Sequence, residues 1–218
     1  MDCPRDIIDL THTLAEEYIK KYQYPWQALA GLKDFILSCG ERLGADFLRI
    51  APFVWAHKSA EIAATAHIGN AVIIGAETQI RHCAFIRGGA IIGNNCVVGN
   101  STEIKNSVLC DGVQAPHFNY VGDSVLGYKA HLGAGAVTSN VKSDKSPITA
   151  HIYGSTLNTG LKKFGALVGN YVEIGCNCVL NPGTVIGEHS RVYPLSSVRG
   201  EVPPNSVYKS ADEIVPLK

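Results

Sequence analysis

Isoleucine or valine stands at every sixth position of one long stretch, at Ile62, Ile68, Ile74, Ile80, Ile86, Ile92, Val98 and Ile104. A second run follows at Val168, Ile174, Leu180, Ile186, Val192 and Val198. Glycine comes directly after many of these anchors (Gly69, Gly75, Gly93, Gly99, Gly169, Gly175, Gly187). A small or β-branched residue stands four positions on, as at Val72, Thr78, Ala84, Ala90, Cys96, Thr102 and Val108. A six-residue period fits neither one face of a helix nor the two-residue alternation of a hairpin sheet. It fits a ribbon wound from one short strand and one tight turn per repeat, with three repeats to a coil. The expected fold is an all-β solenoid of hexapeptide repeats.

Composition narrows the function classes. The 218 residues are 46% hydrophobic, enough for a core, and 19 basic side chains balance 19 acidic ones. That balance argues against a dedicated nucleic-acid binder, which carries a basic excess. The charged fraction, 17%, suits a solenoid whose flanks are covered by other subunits. No run of eighteen apolar residues predicts a membrane span, and the acidic N-terminus lacks a signal-peptide core. Seven cysteines, an odd number without a zinc-type pair, point to a reducing compartment, so the cytoplasm is the expected location.

Residues 1–50 lack the hexad and read as a helical segment. Ile7, Leu10, Leu14, Tyr18 and Tyr22 roughly follow the helical period, and Pro25 opens a second stretch with Leu29, Leu32, Phe35 and Ile36 on one face. Two readings stand for this segment: a cap over the open end of the solenoid, or a substrate or subunit contact. The coils are expected over 51–208, with a tail at 209–218 that crosses a neighbouring surface. Within them the phase slips, because Leu126 and Leu132 lie 22 and 28 residues beyond Ile104, where 24 and 30 are expected. The break is assigned to Val108–Val125, which holds the polar and aromatic cluster Gln114 to Tyr120. A second interruption, an inserted loop at 141–163, concentrates lysines and contains an alternating Ile148–Leu157 that reads as a projecting hairpin. Loops that leave a regular repeat tend to carry function.

Eighteen residues make one coil, so Arg87 and Lys105, eighteen apart, are expected to stack. Two stacked cations repel unless an anion lies between them, which suggests a phosphate site; two solvated charges are the plain alternative. Glu103, two residues from Lys105, points the same way by alternation. His117, beside Pro116 and three residues before Tyr120, is the candidate general base, since a neutral imidazole can take a proton from an attacking amine. A histidine filling a turn between coils fits the same spacing. His131 lies within reach of the same groove by sequence spacing. The glycine-rich Leu132–Asn140 stretch allows close approach to backbone amides, and it is not a Walker loop.

The segments Val98 to Lys105, His117 to Asp123 (His-Phe-Asn-Tyr-Val-Gly-Asp) and Leu132 to Gly135 resemble the acetyltransferase domain of bifunctional N-acetylglucosamine-1-phosphate uridyltransferases and archaeal sugar-1-phosphate nucleotidyltransferase relatives. The likeness covers roughly residues 54–208. It implies a left-handed parallel β-helix, a homotrimer with sites between subunits, and acetyl-CoA as co-substrate with no metal. By position it implies that Arg87 and Lys105 hold a sugar phosphate, that His117 is the base, that Tyr120 contacts the sugar, and that Glu103 is an acid near the base. It further gives Ala134 as a backbone contact to the acetyl-CoA arm, Asn140 as a polar group near the thioester, and Lys142 and Lys145 as approximate coenzyme contacts. His131 stands where the bacterial enzymes have an asparagine near the amino sugar, and Pro194 replaces a small residue that can donate an N–H. The first 50 residues offer no nucleotide-binding loop, so nucleotidyl transfer is not expected.

The activity implied is acetyl transfer from acetyl-CoA to a hexosamine 1-phosphate, glucosamine or galactosamine. The alternative is a non-catalytic solenoid that binds sugar phosphates or nucleotide sugars. A zinc-dependent solenoid enzyme is disfavoured, because no two histidines show the His-x4-His spacing it needs.

Overall fold

The computed structural model describes residues 7–218, so Cys3 and the start of the expected helical segment lie outside the described residues. The hexads wind into a left-handed parallel β-helix of about nine turns. Its coils have three walls. On the first, Val54–His57 pairs in parallel with Val72–Ile74, and this pairing continues through Ala90–Ile92 and Ser107–Leu109 to Val125–Leu126, Ala166–Val168 and Thr184–Ile186. The second wall runs from Glu61–Ile62 through Val97–Asn100, Gln114–His117 and His131–Leu132 to Glu173–Ile174 and Arg191–Val192. The third carries His67–Ile68, Phe85–Ile86, Glu103–Lys105, Tyr120–Gly122, Val137–Thr138, Val179–Leu180 and Ser197–Val198. The anchor residues point inward and form one continuous core, with Ile74, Ile86, Ile92, Val98, Ile104 and Val168 fully buried. Each contributes on the order of 1.5–3 kcal/mol by leaving water. Corners turn through a single left-handed residue, such as Ala71, Glu77 and Cys83, each at φ 55.

The phase slip is real, but it does not lie at the Gln114–Tyr120 cluster. Ala115 and Val121 there are buried in register with Val98 and Ile104. One residue is lost at the corner between third and first walls in each of two successive coils. Below that corner Ile86 pairs with Ile104, and beyond it Gly88 pairs with Lys105. The corner residues Asn106 (φ 46) and Asp123 (φ 48) make the shortened turns. The insertion after Thr138 then lengthens one coil, so that partners such as His131 and Glu173 stand 42 apart in sequence. It includes an antiparallel hairpin, Thr149–Ile152 with Ser155–Asn158.

The N-terminal segment includes the short helix expected, but its helical turns lie along the side of the solenoid and not over its open end. It folds as short turns, Leu10–His12, Glu16–Ile19 and Pro25–Gly31, followed by the helix Leu32–Gly40. It lies along the first wall, whose outward residues are apolar: Trp55, Ile73, Ile91, Val108 and Val125 pack with Trp26, Leu29, Leu32 and Ile36 in a second core. Ile148, Ala150, Ile152 and Phe164 from the insertion complete that core against Leu167 and Val185. The solenoid edges are met by antiparallel strands instead, Phe47–Ala51 on Val54–His57 at one end and Glu213–Pro216 on Ser206–Ser210 at the other. The tail folds back on its own last coil. No helix of the described residues is long and apolar enough to cross a membrane.

Candidate functional site

His117 ends the strand Gln114–His117 at the corner between second and third walls. Its side chain is exposed, and its ring makes no hydrogen bond among the described residues. Its backbone, by contrast, is tied on both sides. The His117 amide donates to Asn119 Oδ1 at 3.1 Å, and its carbonyl accepts from Gly135 N–H at 3.0 Å. Asn119, 3% exposed, donates through Nδ2 to Gly133 O at 2.8 Å and Ala136 O at 3.1 Å. One buried amide thus fixes the histidine corner to the Gly133–Ala136 turn of the next coil. Sequence reasoning passed over Asn119; an asparagine two residues after His117 at a turn was the available signal.

Gly99 makes this corner possible. A Cβ there would sit 1.6 Å from Pro116 O, so only glycine lets the next coil seat over it. The turn after Leu132 brings Ala134, half-buried, into the coil above His117. Its carbonyl accepts from Asn177 N–H at 2.8 Å, while its own N–H makes no hydrogen bond among the described residues.

On the third wall Glu103 and Tyr120 are register partners. Glu103 Oε1 accepts from Arg87 Nη1 at 3.2 Å; with Arg87 55% exposed, the pair contributes at most about 1 kcal/mol. The Tyr120 ring lies over Gly122, where a Cβ would fall 2.4 Å from its hydroxyl. Partial burial, and then the negative charges of Asp123 and Glu103, push the Tyr120 phenol above its ordinary range, so it stays a donor at neutral pH.

The expected stacking of Arg87 on Lys105 is not what the coils produce. Arg87 falls in the register shift and Lys105 is paired with Gly88, so the two cations belong to separate pairs. Lys105 Nζ donates to Asp123 at 2.9 and 2.7 Å, and the Asp123 side chain is only 4% exposed. Asn106 Nδ2 also donates to Asp123, at 2.8 Å. Asn140 Nδ2 reaches both Asp123 Oδ2 and, at 3.2 Å, the Tyr120 hydroxyl.

His131 is not at the His117 corner. It is the register partner of Gln114, three residues back along the same wall, or about 10 Å at strand rise. Its Nδ1 meets Glu173 Oε2 at 2.7 Å beside a surface cavity of about 430 Å³ that Lys129 and Tyr171 also line. Lys142 donates to Pro147 O at 3.0 Å and lines a polar cavity of about 470 Å³ with Ser139, Asn181 and Arg199. Lys145, exposed and at φ 57, is not among the residues that line it. Arg199 and Asn181 were missed in the sequence, although they stand eighteen apart and donate one to the other, Arg199 Nη2 to Asn181 Oδ1 at 3.3 Å. Among the described residues no three His, Cys, Asp or Glu side chains come together as a metal set.

The fold and these corners define a hexapeptide-repeat β-helix with an exposed imidazole beside a wall of paired charges. No family model matches the chain. It is similar to a bifunctional sugar-1-phosphate nucleotidylyltransferase/acetyltransferase of Sulfurisphaera tokodaii, 36% identical over 98 residues, 45% of this chain and 24% of that one. It is also similar to the bifunctional GlmU proteins of Methanococcus vannielii (28% identical, 61% of this chain and 32% of that one) and Desulfitobacterium hafniense (30%, 64% and 27%). The chain thus spans about a quarter to a third of the length of these relatives. Among solved structures it is similar to a UDP-N-acetylglucosamine acyltransferase from Francisella novicida, 16% identical, covering 74% of this chain and 67% of that one at a TM-score of 0.43. A mutant of perosamine N-acetyltransferase from Caulobacter crescentus, solved with CoA and GDP-perosamine, is 15% identical and covers 75% and 56%, at a TM-score of 0.35.

Proposed function

We propose that the chain is an acetyl-CoA-dependent N-acetyltransferase whose acceptor is a hexosamine 1-phosphate, glucosamine or galactosamine 1-phosphate, and that it works as a homotrimer with sites between copies. The observation that carries this reading is the exposed His117 ring on a backbone locked from both sides. A general base needs a free nitrogen in a fixed place, and a histidine that merely filled a turn would have its ring packed or hydrogen-bonded. Relatedness to bifunctional nucleotidylyltransferase/acetyltransferases supports the reaction class.

In this mechanism His117 takes the proton that leaves the amine nitrogen as the amine adds to the thioester carbonyl. The carbonyl oxygen gains negative charge, and the unengaged Ala134 N–H is a donor suited to it. Collapse of the adduct breaks the C–S bond and releases CoA as a thiolate, which the protonated imidazole can neutralise. Arg87 and Lys105 hold the sugar phosphate from two separate pairs, and Tyr120 offers a hydroxyl to the sugar. Glu103 orients Arg87 beside the base. Fixing the amine in place accounts for most of the rate gain. Lys142 and Arg199, on the polar cavity next to Asn140, are suited to the coenzyme phosphates, and Lys145, an exposed cation three residues on from Lys142, is a further candidate for them.

The test is thiol release from acetyl-CoA with glucosamine 1-phosphate as acceptor. The unmodified chain is expected to turn over, and His117→Ala to lose about 10²–10⁴-fold in kcat. Full turnover in His117→Ala would refute the mechanism, and binding of a nucleotide sugar without any acetyl-CoA binding would favour a non-catalytic subunit.

A further inference from the structure

We propose that Asp123 is a positioning residue that presents Lys105 to the anionic part of the acceptor and, with the same carboxylate, fixes Asn140; this rests on the reading above. Asp123 occupies a shortened corner in a left-handed conformation, φ 48, which aspartate tolerates better than most residues. Its carboxylate is almost wholly removed from water, which is costly unless every oxygen is engaged. The oxygens are engaged from the coils on either side: Oδ1 by Asn106 and Lys105 of the preceding coil, Oδ2 by Lys105 and by Asn140 of the following one.

An ammonium has three N–H donors. Asp123 occupies two of those on Lys105, and the side chain is still 20% exposed, so one donor is left for a ligand in a fixed direction. A lysine without this partner samples many rotamers and must be ordered when the anion binds. Asn140 is tied to the same carboxylate and passes a second hydrogen bond to Tyr120. Lys105, which holds the sugar phosphate in this mechanism, and Asn140, expected near the thioester, therefore share one anchor. Asp123 touches neither substrate in this scheme, and its effect runs through Lys105.

The experiment is titration calorimetry of the full chain with glucosamine 1-phosphate and with glucosamine. It compares the unmodified protein, Asp123→Asn, Lys105→Ala and the double variant. Asp123→Asn is expected to weaken the phosphorylated sugar about tenfold or more and to leave glucosamine unchanged. The double variant is expected to bind no more weakly than Lys105→Ala. Asparagine keeps the shape and the backbone conformation; should that variant still fail to fold, Asn106→Gly removes one donor to Asp123 and is expected to weaken the phosphorylated sugar several-fold. Unchanged affinity, equal weakening for both sugars, or additive losses in the double variant would each overturn the proposal. If the unmodified chain transfers acetyl groups while one of these occurs, only the positioning role falls; if it binds neither sugar, the acceptor assignment falls with it.

Discussion

Gly99→Ala tests whether the corner beneath His117 is as tight as the coil geometry requires. An added Cβ would lie 1.6 Å from Pro116 O, 2.1 Å from its carbonyl carbon and 2.4 Å from its Cα, all backbone atoms of the next coil. Ordinary contact begins near 3.4 Å, so the Pro116 peptide must recede by roughly 1.8 Å. Neighbouring strands sit only about 4.8 Å apart, so more than a third of the spacing is at stake. Overpacking of this kind costs about 1–3 kcal/mol, and the rigid clash partners put Gly99→Ala at the upper end. His117 is bonded directly to the displaced residue, and a misplacement of about 1 Å at a reacting group costs on the order of 10²-fold in rate. Gly44→Ala is the control: nothing lies within 4 Å of its added Cβ, so a change within about 0.5 kcal/mol is expected. Urea unfolding and thiol release on both variants give the two readouts. Gly99→Ala with unaltered stability and unaltered kcat/KM would refute the close-contact argument.

Stability should fall as pH rises above about 9. Burial holds the Cys96 thiol up to about 12 and pushes Cys110 higher still, so the unfolded chain loses thiol protons that the folded chain keeps. The stabilisation is whole below the ordinary thiol range and is lost as pH climbs towards the folded value; comparing urea midpoints at pH 7 and 10, Cys96→Ala should flatten the fall. Lys142→Ala and Arg199→Ala should each raise KM for acetyl-CoA by about tenfold and leave KM for the sugar unchanged, as steady-state kinetics would read. Tyr120 should ionise above the ordinary tyrosine range because burial and nearby carboxylates disfavour the phenolate; the difference in absorbance titration at 295 nm between the unmodified chain and Tyr120→Phe checks it.

The repeat was legible in the sequence because an inward strand position admits only apolar side chains, and that demand returns at every sixth residue. The acetyltransferase likeness was legible for a related reason, since Val98 to Asp123 packs its chemistry into neighbouring turns. The expected stacking of Arg87 directly on Lys105 does not occur, because the Asn106 corner is one residue shorter than the Gly88 corner it faces and shifts every partner beyond it. The same counting missed Asp123, the actual partner of Lys105, although it too lies eighteen residues away.

By itself, then, the sequence determined that the ribbon winds and which side chains face its core, since those follow from local periodicity. It also held the seed of the flank core in Ile73, Ile91, Val108 and Val125, outward apolar residues one coil apart. Only the tertiary structure decided what covers them, because the N-terminal turns and the inserted hairpin reach that wall across long stretches of chain. Only the stacking of coils decided the site, where Asn119 locks the His117 backbone and Asp123 gathers Lys105, Asn106 and Asn140. Apart from the local bond between Asn119 and the His117 amide, those contacts join residues about a coil apart, and their partners depend on corner geometry that no local pattern records.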